Sequence, residues 1–138
     1  MPDASHVGRR YTAPGQVVDG DRAAAMARAI AGDASLSEPA SVPPTFAAVY
    51  CMGPTLVQIF SDPEVDMDLA GLIHGEQSFE WPEPVRAGDV VDATAEIIGV
   101  EEKRGMTFVS IAFDATRHAD GAVVCRGREL LVIRGARS

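Results

Sequence analysis

The sequence of 138 residues has little that would mark a disulfide-bonded or metal-binding protein. It contains two cysteines, Cys51 and Cys125, far apart and without a Cys-x-x-Cys spacing. We therefore expect two buried, reduced thiols and no disulfide. The three histidines, His6, His74 and His118, are scattered and match no metal-ligand pattern. We expect neither a metal nor a cofactor.

Long apolar runs and basic segments are also missing. No stretch approaches the roughly 20 apolar residues that a membrane helix needs, and the beginning of the chain shows no basic region followed by an apolar one. We expect no membrane association, no secretory signal and a cytoplasmic location. The formal net charge of −8 makes nucleic-acid binding a poor hypothesis, because an acidic surface repels phosphates. Four arginines near the end of the chain are local exceptions: Arg126, Arg128, Arg134 and Arg137.

The length fits a single domain over residues 1–138, and the first half is typical of helices. Residues 19–31 have apolar side chains at helical spacing; Asp19 or Asp21 can cap the start and Gly32 the end. Pro43 and Pro44 then open a second helix over residues 45–60. That helix is apolar nearly all round, which predicts burial on most sides, and Gly53-Pro54 predicts a kink.

The second half is typical of strands separated by turns. The alternation predicts strands at 70–81, 90–101, 106–118 and 122–134, with a short edge strand at 8–17. Segregated helices and strands favour an α+β fold with an antiparallel sheet. A sheet that curves around one buried helix is the arrangement of the hot-dog fold, which we therefore predict.

Three motifs resemble one family. The strand motif His-Gly-Glu-Gln at 74–77 is followed by the turn Pro-Val-Arg-Ala-Gly-Asp at 84–89, and Pro-Pro-Thr-Phe stands at 43–46. Together, over about residues 8–134, they resemble the noncatalytic or N-terminal subclass of MaoC-like dehydratases. The resemblance implies reversible hydration of a trans-2-enoyl thioester to an R-3-hydroxyacyl thioester, carried on coenzyme A or on acyl carrier protein.

The acid–base pattern of the active family members is altered in this chain. Those members carry D-x-N-P-x-H, in which the Asp and the His move protons. Here Asp33 stands at the Asp position, but Ser35, Leu36 and Glu38 replace Asn, Pro and His. Two neighbouring carboxylates repel and offer no donor unless one is protonated. Asp33 and Glu38 are therefore degenerate catalytic candidates, and Asp33 can equally be a loop residue that caps backbone N–H groups.

Six residues are candidates for substrate binding under the resemblance: Pro44, Thr45, Phe46, His74, Gly75 and Gln77. The first turn of the second helix has free N–H groups and the positive end of its dipole, which can polarise a thioester carbonyl. The alternative is an ordinary helix start with Phe46 in the core. On the strand, His74 can instead be a structural hydrogen-bonded residue and Gly75 a bulge. Gln77 is expected to face the side of Phe79 and to have a buried polar partner.

The sequence predicts the noncatalytic, acyl-binding half of an R-specific enoyl-thioester hydratase. A catalytic MaoC-like chain would be its partner in a heterodimer or heterotetramer, and fatty-acyl or bulkier steroid side-chain thioesters both fit. Three alternatives stay open: a homodimeric hydratase that uses Asp33 and Glu38, a hot-dog acyl-CoA thioesterase, and a nonenzymatic acyl-thioester binding subunit. A serine hydrolase is excluded by the lack of a G-x-S-x-G motif.

Overall fold

A five-stranded antiparallel sheet forms the frame of the molecule. The computed structural model describes residues 1–32 and 42–135. The strands are β1 (Arg10–Val17), β2 (Leu72–Glu80), β3 (Val90–Lys103), β4 (Met106–Arg117) and β5 (Val123–Arg134), in the spatial order β1-β3-β4-β5-β2. All five strands predicted from the alternation are present, and the α+β expectation is confirmed. β1 and β2 are the two edges of the sheet.

The first helix, α1 (Gly20–Ala31), has the predicted ends. The Asp19 carboxylate accepts hydrogen bonds from two backbone N–H groups of the first turn, and Gly32 closes the helix in the left-handed region at φ 68°. The expected apolar stripe is only partly buried. Ala23 is 1% exposed, whereas Ile30 is 66% exposed, so the far end of this stripe has little cover from the described residues.

The central helix, residues 44–61, changes its winding twice. It begins as a 3₁₀ turn (Pro44–Phe46), continues as a π-helical segment (Ala48–Met52) and ends as α2 (Gly53–Ser61). Pro54 has no N–H to donate to the preceding turn, so the irregularity expected there takes the form of π winding just before it. The helix is buried on most sides, as predicted, and its exposed face includes Val57, which is 64% exposed.

The central helix packs mainly against β1, β3 and β4. The inward residues of β3 and β4 are fully buried, as the alternation predicts, among them Val91, Ile97, Val109, Ile111 and Phe113. The edge strand β2 is less covered: six of its nine residues are exposed, and on its inner face His74 is half exposed whereas Leu72, Gln77 and Phe79 are partly buried. The concave face of the sheet is therefore unevenly filled.

The two cysteines meet inside this core. Cys51 on the central helix and Cys125 on β5 are both free and both buried, and the expected burial is confirmed. The hydrogen bond that the Cys51 thiol donates to Cys125, together with burial, raises the pKa of the Cys51 thiol. Across the described ranges, no helix is both long and apolar enough to span a membrane.

Candidate functional site

The two acid–base candidates, Asp33 and Glu38, lie outside the residues that the structure describes. The described part of the site begins directly after them, at the start of the central helix.

An apolar pocket of about 380 Å³ opens at the start of the central helix, and we call it the helix-start pocket. Its walls are Val42, Pro43, Pro44, Tyr50, Trp81 and residues 83–85. Of the three substrate-binding candidates at this helix start, Pro44 lines the pocket. Thr45 is exposed, and its hydroxyl lies 3.8 Å from the sulfur of Met26. Phe46 is 2% exposed and packs in the core, with its ring 6.2 Å from that of Tyr50.

Some N–H groups of the first turn of the central helix, which we expected to be free for a substrate, are already hydrogen-bonded within the turn. The Phe46 N–H donates to the Pro43 carbonyl at 2.9 Å, and the Ala47 N–H donates to the Pro44 carbonyl. These groups are committed to the 3₁₀ turn. The pocket offers mainly apolar walls, which suit a hydrocarbon chain.

The turn at 84–89 fixes one wall of this pocket. The Asp89 carboxylate accepts the Arg86 backbone N–H at 3.0 Å. Arg117, from the end of β4, donates to the Pro84 carbonyl at 2.6 Å and lies 3.4 Å from Asp89. The Arg-x-Gly-Asp part of the motif is thus a structural clamp that ties residues 84–89 to β4.

The candidates on β2 lie along its inner face. His74 pairs with Leu131 and Gln77 pairs with Glu129, and the register shifts between them at Gly75. Because of this bulge, His74 and Gln77 point to the same side although three positions separate them. A Cβ on Gly75 would lie 3.2 Å from the Leu130 carbonyl oxygen, so the bulge interpretation of Gly75 holds.

The structure adds one residue that the motifs do not contain. Glu129 is 3% exposed on the inner face of β5, and neither of its carboxylate oxygens has a hydrogen-bond partner among the described residues. His74 Nε2 lies 3.4 Å from Glu129 Oε1, close enough for an ion pair but not aligned as a hydrogen bond. Burial raises the pKa of Glu129, and the nearby His74 only partly offsets this.

Gln77 also has a buried acceptor atom without a hydrogen-bond partner among the described residues. Its Nε2 donates to the Ser78 carbonyl at 3.0 Å, but its buried Oε1 has no partner in the described parts of the chain. The expected buried polar partner is therefore not found among the described residues, because the Nε2 bond is exposed and the buried Oε1 has no partner. His74 is half exposed. We call His74, Gln77 and Glu129 the β2 polar cluster; it combines an exposed imidazole with buried acceptor atoms.

The β2 polar cluster and the helix-start pocket are separate within one chain. Trp81, at one end of β2, lines the pocket, whereas His74 lies near the other end. Seven residues of extended chain, roughly 20 Å, separate His74 from Trp81, and four residues, roughly 13 Å, separate Gln77 from Trp81. The six substrate-binding candidates therefore form two groups and not one site.

The other two histidines are engaged elsewhere. The Asp3 N–H donates to His6 Nδ1 at 3.0 Å, and His6 Nε2 lies 3.0 Å from the Glu64 carbonyl. His118 Nδ1 lies 2.9 Å from Asp92 Oδ2. None of the three histidines of the sequence lines the helix-start pocket. Within residues 1–32 and 42–135, no cluster of three or more His, Cys, Asp or Glu side chains is arranged to hold a metal ion.

Several solved structures share this architecture. The HadBC complex of Mycobacterium tuberculosis, a 3R-hydroxyacyl-ACP dehydratase, matches with a TM-score of 0.74 and 24% identity over 92% of this chain and 96% of that chain. HtdX of the same organism matches with a TM-score of 0.73 and 18% identity over 91% of this chain, but over only 51% of its own length. An (R)-hydratase from A. caviae gives a TM-score of 0.54 at 22% identity, covering 91% and 94% of the two chains. The fold is the hot-dog fold of this class of proteins.

The sequence comparisons give the family. Residues 18–126 match the family model described as FAS1-like, dehydratase domain region. A UPF0336 protein of Streptomyces coelicolor is 30% identical over 94% of this chain and 93% of its own length. One from Saccharopolyspora erythraea is 30% identical over 67% of this chain, and the alignment spans 58% of that relative. The chain therefore belongs to the FAS1-like dehydratase-domain family, together with UPF0336 proteins.

Proposed function

We propose that this chain is the noncatalytic, acyl-binding half of an R-specific enoyl-thioester hydratase, paired with a catalytic MaoC-like chain. One observation carries the proposal: Glu38 replaces the histidine of the D-x-N-P-x-H pattern, and no imidazole of the chain lines the helix-start pocket. Hydration needs a base for water and an acid for the α-carbon. The partner would supply this pair.

The uneven cover of the sheet supports a pairing through β2. The edge strand presents unpaired backbone N–H and C=O groups along nine residues, and such an edge is suited to pairing with another strand. A second hot-dog chain placed there would extend the sheet and cover the half-exposed His74 on the inner face of β2. The likeness to a chain of the HadBC complex is consistent with a two-chain assembly.

The helix-start pocket supports an acyl thioester as the ligand. Its proline, tryptophan and valine walls suit a hydrocarbon chain, and its volume of about 380 Å³ falls within the range of small-molecule sites. The carrier in this proposal is coenzyme A or acyl carrier protein, since both present the same pantetheine thioester.

The test is hydration of trans-2-butenoyl-CoA by the purified chain alone and after co-expression with a MaoC-like chain of the same genome that carries D-x-N-P-x-H. We expect no turnover by the chain alone and turnover by the co-purified pair. The double variant Asp33→Ala/Glu38→Ala should leave the pair active, whereas alanine at the partner's own Asp should abolish turnover.

Two outcomes would contradict this proposal. Turnover by the chain alone that is lost in Glu38→Ala would establish the self-sufficient homodimeric hydratase. Release of free thiol from an acyl-CoA would indicate the thioesterase, because hydration leaves the thioester bond intact.

A further inference from the structure

The face of the sheet that points away from the central helix is apolar at its centre. An antiparallel sheet with one face in water usually carries polar side chains on that face. Here the central outward positions of β4 and β5 carry no charged group, and their side chains are only partly buried: Phe108, Ser110, Ala112, Leu130 and Val132. We call this surface the outer sheet face. An exposed apolar surface of this kind indicates an interaction site.

The outer sheet face has a recess on one side and a leucine on the other. Ser110 pairs with Gly99 on β3 and with Leu130 on β5. Because Gly99 has no side chain, a Cβ built there would meet only Ser110 within 4 Å, at 3.6 Å. The recess has a volume of about 250 Å³, and Gly99, Ser110 and Phe108 are among its walls.

Charges of opposite sign lie on the same two sides. Ala112 pairs with Glu96 on β3 and with Arg128 on β5. The Glu96 side chain is 32% exposed and accepts a hydrogen bond from Arg10 Nε at 2.7 Å. Arg128 is exposed and forms no ion pair within the described ranges. The β3 side of the face therefore carries the recess and a carboxylate, and the β5 side carries the leucine and a free guanidinium.

Two copies of this face are complementary when they meet about a twofold axis that runs along β4. Such an axis places β3 of one copy over β5 of the other, at the same height along the strands. Leu130 then faces the recess at the partner's Gly99, and Arg128 faces the partner's Glu96. Stacked sheets lie about 10 Å apart with strands within about 30°, which keeps these positions opposed. An axis across the strands would instead place acid on acid.

Like charges limit the contact at both ends. At one end Asp114 would face the same residue of the other copy, although Arg126 lies 3.8 Å from it and reduces the repulsion. At the other end Lys103 would face the partner's Arg134, since both pair with Met106 of β4. The complementary part is confined to the positions between these ends, so the dimer should be weak.

We propose that the outer sheet face is an interface between two copies of this chain, packed back to back about an axis along β4. The contact leaves the edge strand β2 and the helix-start pocket free, so it does not depend on the proposed function. If the chain also pairs with a catalytic partner through β2, the outer sheet face joins two such pairs into an assembly of four chains.

The test is sedimentation velocity over a range of concentrations, at low and at high salt. The sample is the purified full-length chain, or the co-purified pair where the chain is obtained only with a partner. We expect the mass to rise with concentration through a step that doubles the number of copies of this chain. High salt should weaken this step, because it screens the exposed ion pairs.

Charge reversal identifies the face that associates. Arg128→Glu and Glu96→Arg should each raise the dissociation constant about tenfold or more, since each replaces two attractions of the symmetric dimer by two repulsions. An equal mixture of the two variants should associate as the wild-type chain does, because every opposed pair then again joins an acid and a base.

The controls separate this contact from folding and from the β2 edge. Arg22→Glu makes the same charge change on the exposed surface of α1 and should leave association unchanged. Glu96 lies three strands away from β2, so Glu96→Arg should not weaken a pair formed through that edge. If Glu96→Arg does not fold, Leu130→Gln replaces it; loss of the side chain that fills the recess should also raise the dissociation constant.

Three results would overturn the proposal. One is a wild-type chain, or pair, that shows no further association at any concentration. Another is association that neither charge reversal weakens, because the copies would then meet elsewhere, the β2 edge included. The third is a mixture of the two variants that stays dissociated. Hydratase activity is measured separately, and its absence would count against the proposed function alone.

Discussion

Replacing Glu129 by methionine should make the isolated chain more stable. The Glu129 side chain is 1% exposed, and its carboxylate oxygens have no hydrogen-bond partner in the described residues. An unsatisfied buried polar group costs about 1–3 kcal/mol, and methionine has similar length without that cost. We therefore expect Glu129→Met to raise the free energy of unfolding at neutral pH by about 1–3 kcal/mol, measured by urea unfolding with far-ultraviolet circular dichroism.

The gain in stability from Glu129→Met should shrink as the pH falls. Burial raises the pKa of Glu129 in the folded chain, so the wild-type protein loses stability as the pH rises from the ordinary Glu range through the raised value. Below the ordinary range Glu129 is protonated in both states, and the advantage of Glu129→Met should shrink there.

A matched substitution serves as the control. Glu102 lies on the same sheet but is exposed, so Glu102→Met should change stability by less than about 0.5 kcal/mol at any pH. The reasoning is refuted if Glu129→Met destabilises the chain by several kcal/mol, since that is the signature of a broken buried ion pair. A pH-independent gain would refute it as well.

Three further outcomes follow from the packing and the ion pairs. Gly127→Ala should destabilise the chain by about 1–3 kcal/mol, since the new Cβ would lie 2.9 Å from a backbone oxygen of β2. Gly99→Ala is the control and should be tolerated, because its Cβ would lie 3.6 Å from the nearest atom; urea unfolding compares the two variants. Burial raises the pKa of the Asp62 carboxyl, but hydrogen bonds from Tyr11 and from its other neighbours outweigh burial and leave this pKa below its usual range. The stability that the ionised Asp62 contributes should therefore be lost as the pH falls through the lowered pKa, and an acid titration of Asp62→Asn should lack this loss. Arg117→Leu should loosen the clamped 84–89 segment, and the fluorescence of the chain's single tryptophan beside it should shift before global unfolding.

The sequence predicted the regular elements well, because their signals are local. Alternation placed the strands, and Asp19 and Gly32 marked the ends of α1 through the bonds that they make. The winding of the central helix was missed, since the choice between α and π turns before Pro54 depends on how the helix packs on the sheet. The uncovered face around Val57 was also missed, because an apolar sequence does not say what covers it.

The candidate site depends on contacts between distant parts of the chain. The sheet order places β5 beside β2, and only that pairing brings Glu129 to Gln77 and His74. One signal was available in the sequence: Glu129 lies on the same face of β5 as the buried Leu131 and Ile133. A charged residue on the buried face of a strand indicates a position where that residue needs a polar partner.

An antiparallel pair of edge strands creates two clefts, and in a hetero-pair these clefts are not equivalent. In the proposed assembly, one cleft joins the partner's Asp and His to β2 of this chain. The other joins this chain's helix-start pocket, with Glu38 at the position of the histidine, to the partner's strand. Only the first cleft has an acid–base pair, so only there can water add to the substrate. The helix-start pocket of this chain is then free to hold acyl carbon without reacting with it, which is consistent with its apolar walls.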